Sequence, residues 1–406
     1  MEGSALGRGH VFGAILLVAG SCIGAGMLAL PMVTGLVGFF PAVGIFLLCW
    51  AFMTVTGLLL LEVNLWLGEG VSLISMAERT LGGFGRMASW VLFCFLFYLV
   101  LIAYVVGSGA LVSGVIGGGL GVVVPRSVGS LLFALFFGAV VYLGTRAVDL
   151  VNRALMVGLV VAYAALIVFG APFVEGGLLR HVDLRFALMP LPVVVIAFGY
   201  HNMIPSLTRY LRQNIKAMRL TVVIGSLLPL LIYLVWEWLI LGIVPVGGPD
   251  GLAEGLQRGD LATASLGELA GGRAVAYAAD AFSFFAIVTS FLGQGLSLVH
   301  FLADGLKVEL TRLKSLYLTL LVIVPPLVAA LWDPRIFIRA LGVAGGFSAV
   351  ILFGILPALM VWIGRYRRRE VTCRLVAGGR VTLIAVIAFS LLVMATELMN
   401  QLGVWR

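Results

Sequence analysis

Charged side chains are scarce in this sequence. Only 11% of its 406 residues are Asp, Glu, Lys or Arg, whereas 62% are hydrophobic and the mean hydropathy is +1.16. A soluble globular protein needs more polar residues to cover its surface, so that class is excluded. The apolar residues form long runs rather than short alternating segments, which excludes a transmembrane β-barrel. The composition predicts an all-α polytopic membrane protein with one transmembrane domain over residues 1–403.

Metal-binding and catalytic signatures are also missing. The four cysteines, Cys22, Cys49, Cys94 and Cys373, show no metal or redox spacing, and three lie in apolar runs, where free thiols act as small hydrophobes. There is no His-Glu-x-x-His motif, no acidic metal cluster and no phosphate-binding loop. We therefore expect no cofactor, no use of ATP and no enzyme activity. The first apolar run is too long for a cleavable signal peptide, and the net charge of +8 does not by itself indicate nucleic acid.

Long apolar runs dominate what is present. Crossing the hydrocarbon layer takes about 20 apolar residues. That length predicts eleven spans, numbered here in chain order: 11–33, 39–67, 87–115, 127–144, 153–173, 188–207, 219–244, 278–302, 315–332, 337–363 and 381–403. The mixed segment 245–273 is expected to be a loop between spans 7 and 8.

The basic residues predict the orientation of these spans. With a cytoplasmic N-terminus, 18 of the 26 Lys and Arg fall on the cytoplasmic side, many of them in the loop 365–369. Positive charge is retained on the inside, so we expect the N-terminus in the cytoplasm and the C-terminus on the opposite side of the cytoplasmic (inner) membrane. The basic residues then set topology and contact anionic lipid.

Span 1 contains a glycine cluster where a helix should be continuous. Within Gly20–Pro31, three glycines fall in seven residues, and each weakens a helix by about 1 kcal/mol relative to alanine. Irregular backbone at membrane depth survives only against protein or a wet cavity. This pattern predicts a broken helix whose second half presents free amides to a carboxylate near the membrane midplane.

Span 6 contains a second interruption. Gly199, His201, Asn202 and Pro205 lie together in the centre of an apolar run. Pro205 removes one amide from the helical hydrogen bonds, and the two polar side chains are costly in hydrocarbon. Spans 1 and 6 are five apart, so they cross in opposite directions. This arrangement is typical of a five-plus-five inverted repeat, in which the ligand site lies where the two breaks meet. The repeats would cover about 11–173 and 188–363, and an extra helix would follow at about 381–403. The alternative is that the glycines only allow close helix packing.

Both breaks resemble those of the hydroxy and aromatic amino acid permeases, the family of the tyrosine- and tryptophan-specific permeases, which has the leucine-transporter fold. The similar stretches are Gly20–Pro31, Phe198–Leu207, and Thr289–Gly293 continuing to Phe301–Asp304. The number and length of spans agree, so the resemblance covers essentially the whole chain. The chain departs from it at His300, where the tyrosine permeases usually have an acidic residue, and any coupling role of that acid is in doubt here.

The resemblance and the residues together predict a substrate site. The amides of Gly24, Ala25 and Gly26 would hold a carboxylate, because glycine lets the backbone approach a ligand. The resemblance implies that carbonyls around Ser21, Cys22 and Phe198 receive the ammonium group and that Tyr104 reaches the carboxylate, although a tyrosine in an apolar span can also serve packing alone.

Side chains of span 6 and span 8 are candidates for contacts with the rest of the substrate. His201 and Asn202 would bind a phenolic hydroxyl or an indole N–H, or His201 would carry a coupling proton; alternatively both satisfy the interrupted backbone. Phe198, Tyr200 and Phe291 are candidate aromatic walls.

The resemblance gives roles to three more groups of residues. It implies that Glu62 supports the interrupted backbone by hydrogen bonding; otherwise Glu62 is an interfacial carboxylate. Thr289 and Ser290, with the carbonyls of Gly20 and Ile23, match a sodium site of the wider fold, or they bond back to their own helix. Three other acidic residues are expected near span ends without a role, namely Glu237 between two tryptophans, Asp280 and Glu397.

The sequence therefore predicts a secondary symporter that imports an aromatic amino acid by alternating access, tyrosine first and tryptophan second. The resemblance implies a proton as the coupling ion, and the hydroxyl pair keeps sodium open. The alternatives are a sodium-coupled symporter for aromatic or neutral amino acids and a tryptophan-specific permease. The rivals are a membrane-embedded enzyme, which lacks its catalytic cluster, and a channel, which lacks rings of charge or carbonyls. The expected partners are the substrate and the lipid bilayer, with no nucleic acid, and the sequence leaves the oligomeric state open.

Overall fold

The computed structural model describes residues 8–68, 71–269, 272–368 and 373–405; for Arg8, Ala25, 118–120 and 267–269 it describes the backbone alone. Helices make up nearly all of the described chain, and no strand occurs within those ranges. Span 1 is Arg8–Cys22, then the 3-10 helix Ala25–Ala29 and Leu30–Thr34, and span 6 is Leu191–Ala197, then His201–Met203 and Ile204–Tyr210. The other helices at predicted spans are Phe39–Leu67, Leu73–Leu120, Arg126–Tyr142, Thr145–Gly170, Ile215–Ile243, Arg273–Gly305, Arg312–Trp332, Phe337–Arg368 and Gly379–Gln401.

The predicted count of eleven spans is not confirmed by helix length. Among the described residues, nine helices are long and apolar enough to cross a membrane, and the bent pair of span 1 makes a tenth. The helix of predicted span 4, Arg126–Tyr142, is apolar but only 17 residues long. Two short helices, Leu252–Arg258 and Ala262–Leu269, lie in the segment expected to be a loop between spans 7 and 8.

Local sequence explains where several helices begin and bend. Gly82 has φ 76°, which L side chains rarely adopt, and it divides Leu73–Leu120 into a short first helix and span 3. The side chains of Ser72, Asn214 and Thr311 each accept a hydrogen bond from an amide of the following first turn. These caps satisfy amides that have no partner inside the helix.

Close helix contacts bring the two halves of the chain together. A Cβ on Gly225 of span 7 would lie 2.7 Å from Val18 of span 1, and a Cβ on Gly158 of span 5 would lie 2.6 Å from Phe285 of span 8. Spans 5, 9 and 11 expose many of their apolar side chains, as expected of helices that face lipid. Spans 1, 3, 6, 8 and 10 supply most of the residues around the centre of the bundle, where the two breaks lie.

Candidate functional site

The break in span 1 lies at Ile23 and Gly24, as the sequence predicts. The chain bends there by 45° between Gly9–Cys22 and Gly26–Thr34. Gly24 is extended, with φ −171° and ψ −159°, and a Cβ on it would lie 2.3 Å from the Oγ of Ser290 on span 8. Glycine thus lets span 1 lie directly against span 8. The amides of Ala25 and Gly26 open a new helix, so they have no intrahelical acceptor.

The break in span 6 lies at the predicted position too. The first half ends at Ala197, and the chain resumes as a 3-10 turn at His201 and as an α-helix at Ile204. Pro205 falls in the first turn of this new helix, where its missing amide costs nothing. Both predicted interruptions of spans 1 and 6 are therefore present.

A tyrosine on span 7 holds the two breaks together. The buried Tyr233 hydroxyl lies 2.7 Å from the carbonyl of Cys22 and 2.8 Å from the carbonyl of Ala197, the last helical residues of the two first halves. One turn away, Trp236 Nε1 donates to the carbonyl of Met27 at 2.9 Å. Sequence reasoning missed both residues. The signal available was a tyrosine and a tryptophan three positions apart in an apolar span.

A cavity of about 440 Å³ lies between the breaks and spans 3, 5, 8 and 10. Ten of the predicted site residues line it: Gly20, Ser21, Cys22, Ile23, Gly24, Gly26, Tyr104, Asn202, Thr289 and Ser290. The polar lining that sequence reasoning missed consists of Asn152, Gln294 and Ser297, and the unpredicted aromatic lining consists of Phe93, Phe97 and Phe353. The cavity combines free backbone amides, neutral polar side chains and aromatic rings without an acidic or basic side chain in its described lining.

The cavity opens toward the end of the bundle where the N-terminus lies. Its lining includes Leu16 and Leu17, which precede the break of span 1, and Asn202 and Met203, which follow the break of span 6. These two spans run in opposite directions, so both stretches lie on the same side of the breaks. On the other side, Met27 and its neighbours Leu28 to Leu30 are fully buried. The site is closed there.

The three predicted aromatic walls lie outside this lining. Phe198 packs against Tyr233 at 5.2 Å between ring centroids, and Phe291 packs against Phe133 at 5.0 Å. The Tyr200 hydroxyl donates to the carbonyl of Met53 on span 2 at 3.0 Å. The prediction named aromatic residues near the breaks, but the rotation of each helix turns these rings into the bundle. Phe93, Phe97 and Phe353 face the cavity instead.

His201 is likewise set back from the cavity. Its Nε2 lies 2.9 Å from Thr56 Oγ1 on span 2, and its ring stacks between Tyr200 and Phe353, with centroids at 4.9 and 4.7 Å. Its Nδ1 is buried without a hydrogen-bond partner among the described residues. Phe353, on a π-helical turn of span 10, separates the imidazole from the cavity, so direct contact with a bound ring is not made from this position.

Glu62 supports a different part of the molecule from the one predicted. Its carboxylate receives two hydrogen bonds from Arg365 of span 10, at 2.7 and 2.6 Å, and one from the amide of Leu375 at 2.9 Å. Glu62 and Arg365 are both buried, so the pair compensates two charges in a dry site. The pair joins span 2 to span 10 and to the chain before span 11, rather than bracing the interrupted backbone.

The residues of the predicted sodium site share one wall of the cavity. Gly20 and Ile23 come from span 1, and Thr289 and Ser290 come from span 8. Thr289 Oγ1 donates to the carbonyl of Phe285 at 2.8 Å, which is the back-bonding alternative and leaves its lone pairs available. Within the described residues there is no cluster of three His, Cys, Asp or Glu that could hold a metal. A sodium site here stays a prediction.

Of the three acidic residues expected near span ends, Asp280 is exposed near the start of span 8, and the other two are buried. Glu237 is fully buried on span 7, and Glu397 is buried on span 11 against Gly342 and Gly346. Gln401 and Asn400 donate to the Glu397 carboxylate. His300 is exposed, with its Nε2 3.3 Å from Thr145 Oγ1. Within the described residues, Glu237 and Glu397 are therefore inside the bundle without the basic partner that Glu62 has in Arg365.

Comparison with known proteins agrees with this architecture. The model of the tryptophan/tyrosine permease family matches residues 8–397. The tyrosine-specific transport system 1 of Haemophilus influenzae is 33% identical over 94% of this chain and 94% of its own length. A tryptophan-specific transport protein of Pseudomonas aeruginosa is 31% identical over 89% of this chain and 88% of its own. The relatives are named as transport proteins, in agreement with the expectation that this chain is not an enzyme.

Two solved structures share the fold. MhsT in complex with L-phenylalanine aligns over 99% of both chains with a TM-score of 0.64 at 15% identity. The manganese transporter of Eremococcus coleocola aligns over 98% of this chain and 88% of its own, with a TM-score of 0.63 at 12% identity. The leucine-transporter fold implied by the family resemblance is confirmed. With the family match extending from the start of span 1 into span 11, this integral membrane protein belongs to the tryptophan/tyrosine permease family.

Proposed function

We propose that this protein is a symporter that imports an aromatic amino acid, tyrosine first and tryptophan second, with the inward flow of protons. The observation that supports it most strongly is the meeting of both broken spans at one cavity of about 440 Å³. That volume is within the ~300–1,000 Å³ typical of small-molecule pockets. The relatives named for tyrosine and tryptophan transport support the substrate class.

The cavity lining suggests how such a substrate would be held. The amides of Ala25 and Gly26 would receive the carboxylate, with Tyr104 beside them. Carbonyls around Ser21 would receive the ammonium group, and the carbonyl of Cys22 shares the Tyr233 hydroxyl with the carbonyl of Ala197. Phe93, Phe97 and Phe353 would pack on the ring, and Asn152, Asn202 and Gln294 would bind its hydroxyl or N–H.

Alternating access would carry the substrate across. The bundle of spans 1, 2, 6 and 7 would rock against spans 3–5 and 8–10 around the fixed site. The bacterial relatives support the inner membrane as the location, and the distribution of Lys and Arg supports a cytoplasmic N-terminus. With that orientation, the cavity of this structure opens to the cytoplasm and is closed to the outside.

A sodium-coupled carrier is the second candidate. It is favoured by one observation, the shared cavity wall of Gly20, Ile23, Thr289 and Ser290, whose carbonyls and hydroxyls suit a hard cation. For proton coupling, His201 is a candidate carrier because its Nδ1 has no partner among the described residues.

The test is uptake of labelled tyrosine, tryptophan and leucine into proteoliposomes under an imposed proton or sodium gradient. We expect tyrosine and tryptophan to accumulate with acid outside and leucine to remain near background. Equal rates for leucine would refute the aromatic assignment, and accumulation with sodium alone would favour the second candidate. Counterflow driven by unlabelled tyrosine inside the vesicles separates a carrier from a channel or an enzyme.

A further inference from the structure

A carboxyl group without a basic partner lies inside span 7. Glu237 is 0% exposed, and its Oε2 lies 2.8 Å from Thr34 Oγ1 at the end of span 1. Its Oε1 is buried and has no hydrogen-bond partner among the described residues. An ionised carboxylate buried without a counter-charge is strongly unfavourable, so this environment favours the neutral acid.

The hydrogen bonds available to Thr34 also favour the neutral acid form of Glu237. Thr34 Oγ1 lies 2.8 Å from the carbonyl of Leu30 and 2.8 Å from Glu237 Oε2. A threonine hydroxyl has one hydrogen, so it can donate to only one of these oxygens. If Thr34 donates to Leu30, the second contact is a hydrogen bond only when Glu237 carries a proton and donates to Thr34. A carboxylic acid satisfies both contacts and an ionised carboxylate satisfies one.

Several ionisable side chains lie on the segments packed against span 7. Those described on the contacting segments are His10, Cys22, Cys49, Glu62, Arg146, Asp149, Arg153, Tyr163, Glu175, Arg180, His181, Arg273, Tyr277, Asp280, His300 and Asp304. Span 7 itself carries Lys216, Arg219 and Tyr233. Among the described residues Glu237 forms no ion pair with any of them: Thr34 contacts its Oε2, and its Oε1 has no hydrogen-bond partner. Arg180 lines a second, outer cavity rather than contacting the carboxyl. The protonation of Glu237 is therefore not fixed by a neighbouring charge.

The position of Glu237 connects the outer side of the bundle with the two breaks. The outer cavity, of about 340 Å³, is lined by Gly35, next to Thr34, and by Leu241, one helical turn from Glu237. One turn in the other direction, Tyr233 binds the ends of both broken helices. Movement of Leu30–Thr34 away from span 7 would open the carboxyl to the outer cavity and would displace the same half-helix that begins at the substrate amides.

We propose that Glu237 is the group that binds the coupling proton, with Thr34 as its hydrogen-bond partner. The inference rests on the proposed function, because it assigns the ion of that transport cycle to a residue. A proton from water on the outer side forms the O–H bond on the carboxylate in the outward-facing state. The neutral acid then allows span 1 to close against span 7, and the proton leaves to water on the inner side after closure. One proton crosses and no other species is consumed.

The experiment compares two buried carboxyl groups. Proteoliposomes with wild type, Glu237→Gln or Glu397→Gln are assayed for tyrosine accumulation under an acid-outside gradient and for tyrosine counterflow without a gradient. Glutamine keeps the donor to Thr34 and cannot ionise. We expect Glu237→Gln to reduce the stimulation by the gradient by about tenfold or more while counterflow persists. Glu397→Gln replaces one accepting oxygen by an NH2 group, and the side-chain amide of Asn400 or Gln401 can turn to accept from it, so this variant should retain both activities.

A second variant covers the case in which Glu237→Gln does not fold. Thr34→Val removes the oxygen that accepts from the protonated acid, so the midpoint of uptake against external pH should move to a more acidic value. Proton-driven accumulation that is unchanged in both variants would overturn the assignment of Glu237. The assignment would also be overturned if His201→Asn, and not the Glu237 variant, lost the pH dependence of uptake. If the wild-type protein accumulates tyrosine only under a sodium gradient, proton coupling is refuted, and so is the proposed role of Glu237 in binding the proton.

Discussion

The two broken spans use opposite chemistry to interrupt a helix. In span 1 the break is bare backbone around Gly24, it faces the cavity, and it touches Ser290 of span 8. In span 6 the break carries bulky side chains, and those of Tyr200 and His201 turn away from the cavity, whereas Asn202 lines it. Tyr200 binds Met53 and His201 contacts Thr56, both on span 2.

This difference separates two tasks. A ligand can reach main-chain amides only where no side chain intervenes, so the glycine-rich break is suited to binding. A polar group at membrane depth must be satisfied by protein, so the break with tyrosine and histidine anchors span 6 to span 2. Tyr233 joins the two, because its hydroxyl contacts the helix end of each. The four predictions that follow test this division, from the largest expected effect to the smallest.

Gly24→Val should eliminate uptake. Its Cβ would lie 2.3 Å from Ser290 Oγ, so Ser290 must turn and two further methyl groups enter the cavity beside the amides. We expect tyrosine uptake to fall by on the order of a hundredfold, as misplacement of about 1 Å at a reacting or binding centre does. Uptake and detergent melting are measured together, with Gly44→Val on span 2 as the control because nothing lies within 4 Å of its Cβ position. Normal transport by Gly24→Val would refute the binding task of the span 1 break.

Tyr233→Phe should loosen both breaks at once. The change leaves the carbonyls of Cys22 and Ala197 buried without their common hydroxyl partner, which costs about 1–3 kcal/mol. We expect a lower melting temperature and slower uptake. Tyr277→Phe is the matched control, since Tyr277 is 71% exposed on span 8. Equal melting of the two variants would contradict the joining role of Tyr233.

Tyr200→Phe should affect stability more than substrate binding. It removes one hydrogen bond to the carbonyl of Met53, worth about 0.5–1.5 kcal/mol, while the ring lies outside the cavity lining. Melting temperature and the dissociation constant for tyrosine are measured on the same preparation. A large loss of affinity for tyrosine with an unchanged melting temperature would show that Tyr200 contacts the substrate. The two breaks would then not differ in the way described.

Gly26→Ala should have the smallest effect. The nearest atom to a Cβ at Gly26 is the Cα of Ala197 at 4.0 Å, so the methyl group fits, and the amide that would bind a carboxylate is retained. We expect a stability change within about 0.5 kcal/mol and measurable uptake. Loss of uptake comparable to that of Gly24→Val would show that the whole glycine cluster, rather than the contact at Gly24, sets the site.

The positions of the breaks could be predicted from the sequence because the residues that cause them lie at the breaks themselves. Gly20, Gly24 and Gly26 weaken the helix wherever it is placed, and Pro205 lacks an amide in any environment. The same stretches carried the family resemblance, which the family match confirms. The apolar runs in turn fixed the class of the protein, since hydrocarbon tolerates little else.

The directions in which side chains point could not be read in this way. Phe198, Tyr200, His201 and Phe291 are near the breaks in sequence, but the rotation of each helix about its axis depends on its neighbours. Glu62 pairs with Arg365, which lies more than 300 positions later in the chain, and Tyr233 contacts the carbonyl of Cys22, 211 positions earlier. No pattern within one span predicts a pair of that separation.

What the sequence by itself determined is that the chain is a bundle of apolar helices and where two of those helices must break, because composition and backbone chemistry act over a few residues. Only the tertiary structure decided which atoms meet at those breaks. It turned Phe353 rather than His201 to the cavity and buried Glu237 beside Thr34. The physical reason is that burial and hydrogen bonding are properties of packed pairs, and the members of those pairs come from distant spans.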